Sequence, residues 1–230
     1  GIFKSGKSAV IANLAPEAQI VCHKVAEDLG VTLYQADHDF SFKNGRFSSS
    51  LADLHPLKLG LEGAYQEENA ALALQAFLLF MAQRNEKMDQ EAIRAALHTT
   101  RWAGRLEAIT RHIYLDGAHN LPALERLVEF IQEKIQQGYQ VQILFGALKR
   151  KDYGGMLTYL TEHLPDTTLY VTSFDYQGSL EEQDLGGYRN IASYRDFIDH
   201  FEASAGEQDL LFVTGSLYFI SEVRACLMKQ

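Results

Sequence analysis

Three short stretches concentrate the residue types that could do chemistry. "LDGAHN" (Leu115–Asn120) sets an acid, a glycine, an imidazole and an amide between a strand-like run and a helical pattern. Gly117 lets the backbone turn tightly, and Asn120 can cap the following helix, with Pro122 in its first turn. The helix start favours an anion, whereas Asp116 favours a cation, a ribose hydroxyl or another donor. "GALKRKDYGG" (Gly146–Gly155) gathers Lys149, Arg150 and Lys151 after the next strand-like run. "VTGSLYF" ends on Gly215 and Ser216 at another helix start, where a hydroxyl could contact an oxyanion or a carboxylate.

Each stretch also has a plainer reading. Capping a turn needs only a glycine and an asparagine, so residue types alone balance a capped turn with a surface His119 evenly against a site. A solvated basic loop explains the lysines and arginine well, and Ser216 can be an ordinary N-cap. The three gain weight together, because polar groups converging on one place mark a site better than any single residue does.

The elements that would position them follow from periodicity. Strand candidates "IYLD", "VQILFGA", "TLYVTSF" and "DLLFVTG" are apolar on both faces, as in a parallel sheet covered by helices on both sides. Helices are expected at 121–137, 153–163, 194–203 and 217–228. The first carries Leu121, Leu124, Leu127, Val128, Ile131 and Ile135 on one stripe. Residues 104–230 therefore read as a Rossmann-like α/β domain. Ligands in such sheets bind beyond the carboxyl ends of the strands, where all three stretches fall.

Residues 1–103 differ in pattern. A short strand (8–14), a helix from Pro16 to Leu29 stopped by Gly30, and a strand "VTLYQA" precede a hairpin centred on Asn44-Gly45. A long helix over 66–85 follows, with Ala70, Leu74, Phe77, Leu78 and Met81 on one face, then a second helix capped by Asp89. Gln66 and Asn69 stand near the start of the long helix, where asparagine could also be a simple cap. "RWAGRLE" breaks the helical period and marks the domain boundary. Arg105 there could reach an anion between domains, and Trp102 reads as a packing anchor. "GIFKSGKS" formally matches a phosphate loop, but no strand precedes it and a strand follows where a helix should begin, so the match reads as accidental.

Composition narrows the class. The 230 residues, 47% hydrophobic and 22% charged, are those of an ordinary globular protein. No run of 18 apolar residues suggests a membrane span. A net charge of −9 argues against a nucleic-acid surface, though a local basic site remains open. Cys22 and Cys226 read as reduced core thiols of a cytoplasmic protein. No Cys/His spacing suggests zinc, and no metal ligand is assigned. The chain opens on Gly1 and runs straight into structure, as though sequence were missing upstream.

Taken in order, "GIFKSGKSAVIA", "GAYQEENAALAL", "WAGRLE", "LDGAHNLPAL", "LFGALKRKD", "VTSFDY" and "TGSLYFISEVR" resemble the folylpolyglutamate synthase/dihydrofolate synthase family of the Mur ligase superfamily. The resemblance implies an ATP-dependent ligase of folate metabolism. It would join glutamate to a folate carboxylate, or to that of dihydropteroate, through an acyl phosphate with Mg2+ balancing phosphate charge. It implies that residues 1–103 are the end of an ATPase domain and residues 104–230 a C-terminal ligase domain. By motif, Asn69, Arg105 and Asp116 would contact ATP. His119, with Asp116, would serve at the reacting phosphate, and Ser216 and Lys151 would line the substrate side. Tyr65 stands where the family has His, and Leu121 separates Asn120 from Pro122. The family's phosphate loop, magnesium ligands and modified lysine would all precede Gly1, so this chain alone is expected to be inactive. A monomer acting on small molecules is expected. The alternatives are a Mur-type peptide ligase, against which Gly117 speaks because that branch carries an aromatic residue there, and a nonenzymatic nucleotide-binding module.

Overall fold

A computed structural model describes residues 2–184 and 186–228. Gly1, the first glycine of the formal phosphate-loop match, lies outside the described residues. The chain divides into two compact units, Gly1–Arg101 and Trp102–Gln230.

In the first unit β1 (Ser8–Ile11), α1 (Pro16–Leu29) and β2 (Thr32–Gln35) form a right-sized βαβ step, the two strands pairing in parallel. Gly30 ends α1 in the left-handed conformation, with its N–H on the carbonyls of Ala26 and Glu27, the usual way to close a helix with glycine. β3 (Phe40–Lys43) and β4 (Arg46–Ser49) make the expected hairpin, and Asn44 and Gly45 both take positive φ, as a two-residue turn of this kind demands. β5 (Asp53–Leu54) adds a third strand. α2 (Tyr65–Arg84) lays Ala70, Leu74 and Leu78 on this sheet, among Phe40, Phe42 and Phe47. Phe77, expected on the same face, is exposed instead, because the buried stripe runs through Ala71 and Gln75. α3 (Gln90–Thr99) starts at Asp89, whose carboxylate accepts the N–H groups of Glu91 and Ala92.

The second unit is built on a six-stranded sheet. Its strands are β6 (Glu107–Ala108), β7 (Ile113–Leu115), β8 (Gln140–Phe145), β9 (Thr168–Thr172), β10 (Arg189–Ile191) and β11 (Asp209–Thr214). They lie in the order β10-β9-β8-β11-β7-β6, all parallel except the antiparallel edge strand β6. The helices are α4 (Leu121–Gln136), α5 (Tyr153–His163), α6 (Tyr194–Ser204) and α7 (Leu217–Leu227). Alternation along the strands splits the core into two faces. Ile113, Leu115, Leu211 and Val213 pack with Ile198, Phe201, Phe219 and Val223 of α6 and α7. Tyr114 and Phe212 point the other way, stacked at 5.0 Å and edge-on to Phe130 of α4. Phe145, Phe212 and Phe219 are fully buried, each contributing about 2–3 kcal/mol of apolar burial. Leu121, placed on the buried stripe of α4 by periodicity, is exposed at the first helical position.

The path of the chain explains where a crevice must open. From β7 through β8 to β9 it steps in one direction, and α4 and α5 lie together on one face. It then returns through α6 to insert β11 between β8 and β7. Adjacent strands β8 and β11 therefore send their following helices to opposite faces. That reversal is the topological switch point at which open α/β sheets bind ligands. No helix among the described residues is long and apolar enough to cross a membrane.

Candidate functional site

At the carboxyl ends of β7, β8 and β11 the backbone is tied together before any side chain is considered. The Asp116 N–H donates to the Val213 carbonyl, the Gly146 N–H to Thr214, and the Gly215 N–H to Ala118, all at 3.0–3.1 Å. Two glycines make the approach possible. Gly215 has φ 108°, and a Cβ there would sit 2.7 Å from the Gly146 carbonyl oxygen. A Cβ on Gly117 would overlap Leu217 of α7.

Above this knot lies a cavity of about 400 Å3, lined by His119, Arg150, Lys151, Ser216, Tyr218 and Ser221 among others. Three of the residues singled out from the sequence, His119, Lys151 and Ser216, thus share one cavity. Ser216 caps α7, its Oγ accepting the Tyr218 N–H at 3.2 Å, and is almost fully buried. Asn120 caps α4 by accepting the Ala123 N–H at 3.0 Å. His119 Nδ1 lies 2.8 Å from the Gly117 carbonyl. A carbonyl only accepts, so Nδ1 carries the proton of the neutral ring and Nε2 keeps its lone pair.

Asp116 is buried beneath the turn. One oxygen accepts the Ala118 N–H and the other the Leu106 N–H, both at 2.9 Å. Burial pushes its carboxyl above the ordinary aspartate value. The two backbone donors, Arg105 and His119 pull it back without cancelling the rise. Its two fixed hydrogen bonds also make it a structural tie: Leu106 has φ 44°, an arrangement that costs a non-glycine residue roughly 1–2 kcal/mol.

The basic loop divides in two. Lys149 bridges Asp184 and Glu181 at 3.0 Å each, and these partners raise its pKa. Arg150 and Lys151 face the cavity. Trp102, expected to anchor packing, is 67% exposed. The cysteines are free and half-buried rather than core residues.

No family model matches the chain. Over 248 residues it is 30% identical to the dihydrofolate synthase/folylpolyglutamate synthase of Bacillus subtilis, an alignment covering 97% of this chain and 55% of that protein. The folylpolyglutamate synthase of Lacticaseibacillus casei is 29% identical over 99% of this chain and 56% of its own length. Both of these matches are folylpolyglutamate or dihydrofolate synthases, and each runs over nearly the whole of this chain. It spans about half the length of the curated relatives it matches. A solved bifunctional folylpolyglutamate synthase/dihydrofolate synthase from Yersinia pestis, complexed with AMPPNP and Mn ion, superposes with a TM-score of 0.78. That alignment covers 99% of this chain and 55% of that one at 24% identity, so it speaks for the fold.

The remaining family motifs lie elsewhere in the chain. Asn69, in the first turns of α2 in the other unit, donates its Nδ2 to Gln66 Oε1 at 3.0 Å, and Gln66 is buried. Arg105 lies in the second unit, close enough to Asp116 to act on its charge. Sequence reading passed over Tyr218 and Ser221, which line the cavity from the first turns of α7. Tyr218 also stacks on Tyr176, ring centroids 4.1 Å apart. The i, i+3 spacing of Tyr218 and Ser221 was a usable signal once Ser216 was taken as the helix start.

Proposed function

We propose that the protein carrying this chain is an ATP-dependent ligase. It joins the amine of glutamate to the carboxylate of a folate, or of dihydropteroate, through an acyl phosphate. A carboxylate is a poor electrophile until one of its oxygens becomes a phosphate leaving group, so the residues must hold two anionic partners in line and steady the charge between them. The observation that carries this reading is the convergence of His119, Arg150, Lys151 and Ser216 on one cavity at the switch point. Arg150 and Lys151 suit a carboxylate-bearing substrate. Ser216 Oγ, fixed by the Tyr218 N–H, can donate its own proton to a substrate oxygen. His119 Nε2 is the nitrogen free to accept or hold a proton beside the reacting group.

Asn69, Arg105 and Asp116 are assigned to ATP on the family's motifs. Residues 1–103 belong to its ATPase domain and 104–230 to its ligase domain. Mg2+ accompanies ATP in this reading. Among the described residues no group of three or more His, Cys, Asp or Glu could hold a metal ion, and no step assigned to these residues runs through one. The protein acts in the cytoplasm, as a monomer, on small molecules.

An isotope experiment tests the acyl phosphate. With the full-length protein and folate labelled with 18O in its carboxylate, one labelled oxygen should appear in the released phosphate for each amide formed. Label retained wholly in folate products would exclude the intermediate.

A further inference from the structure

Arg105 stands between two residues with left-handed backbone, Gly104 at φ 69° and Leu106 at φ 44°. A non-glycine residue keeps such a conformation only where its surroundings over-determine it. Four hydrogen bonds do so here. The Gly104 N–H donates to Glu107 Oε2 at 2.8 Å, and the Gly104 carbonyl accepts the Gly117 N–H at 2.9 Å. The Leu106 N–H donates to Asp116 at 2.9 Å, and the Arg105 N–H to the Trp102 carbonyl at 3.2 Å.

Glu107 is itself gripped from the far end of the unit. Arg224 Nε donates to both of its carboxylate oxygens, at 3.0 and 3.2 Å, joining residues 117 apart in sequence. The pair is partly shielded, with side-chain exposures of 18% for Glu107 and 37% for Arg224. Arg224 lies in the last turn of α7, the helix whose N-cap is Ser216. Ile220 of the same helix fills the space where a Cβ on Gly104 would fall. One stiff helix of 11 residues therefore carries Ser216 into the cavity at one end and fixes the Arg105 loop near the other.

We infer that Glu107 and Arg224 are positioning residues for Arg105, holding in its strained conformation the Gly104–Leu106 backbone from which the Arg105 side chain projects. This rests on the reading of Arg105 as a contact to ATP. Both act through the backbone of Gly104–Leu106. An ion pair that only stabilised the fold would instead affect unfolding without singling out the nucleotide.

The test is a double-mutant cycle in the full-length protein. Arg224→Gln should raise the KM for ATP about 10-fold while kcat and the KM for glutamate stay within about twofold, and Arg224→Lys should recover most of the loss. Arg105→Ala should also raise the KM for ATP. Adding Arg224→Gln to it should give no further rise, as expected for residues acting through one group. Backbone amide exchange at Arg105 and Leu106 should quicken in Arg224→Gln while β8 and β11 stay protected. An equal rise in the Arg105→Ala background, or a lowered melting temperature with unchanged KM, overturns the inference. If Arg105→Ala alone leaves the KM for ATP unchanged, the assignment of Arg105 has failed; amide exchange then decides the clamp by itself, unaltered Leu106 exchange overturning it. Should Arg224→Gln not fold, Glu107→Gln keeps the side-chain shape, removes the charge, and puts the same questions.

Discussion

Asp116 shows how one residue can be legible in type while its partners in the fold are not. The sequence offers a carboxylate at a strand end, suited to a cation or a ribose. In the fold both of its oxygens already accept backbone N–H groups, from Leu106 and Ala118. Only tertiary contact brings Leu106 there, so no local pattern could announce it. Burial raises the carboxyl's pKa above the ordinary 3.8. The folded state then binds a proton that the unfolded state has released. The stability this supplies is complete below 3.8 and is lost as pH rises through the raised value. The difference in unfolding free energy between wild type and Asp116→Asn should therefore fall as pH climbs from the ordinary aspartate range, when followed by urea unfolding. A difference that is flat with pH would contradict burial as the dominant influence. His119 and Asn120 were more transparent. A polar pair at a helix start can be read locally, and Asn120 caps α4.

At the scale of elements, the crevice is a product of chain order rather than of any motif. The strands β7, β8, β9 and β11 could be read from their apolar runs. β6 (Glu107–Ala108) and β10 (Arg189–Ile191) could not, since neither carries an apolar run of its own and each is a strand by virtue of its partner. Periodicity also misassigned Phe77 and Leu121 to buried faces. A helix resting on a sheet buries a stripe set by its tilt, and its first turn overhangs the edge. The close approach between the ends of β8 and β11 depends on Gly215. At φ 108° and with Gly146 O only 2.7 Å from any Cβ, alanine meets backbone on one side and strain on the other. Gly215→Ala should lower stability by at least about 2 kcal/mol in urea unfolding. A change below about 0.5 kcal/mol would mean that the two loops can separate freely.

For the whole molecule, the motifs and the topology lead to the same place. The family resemblance named Lys151, His119 and Ser216 from three separate stretches, and the returning path of β11 brings them to one cavity. Tyr218 and Ser221, which complete it, were passed over: their i, i+3 spacing puts them on one side of α7, but that this side faces the cavity is set by the rotation of α7 on the sheet. In the proposed function this cavity serves ligation of glutamate to a folate carboxylate. The most direct measurement is folate-dependent release of ADP with matched amide formation by the full-length protein, wild type and His119→Ala. ADP release should require folate and glutamate and yield one amide per ADP. In His119→Ala kcat should fall by at least about 100-fold, with melting temperature held within a few degrees. ATP binding without folate-dependent ADP release, or a near-normal rate in a destabilised His119→Ala protein, would contradict it.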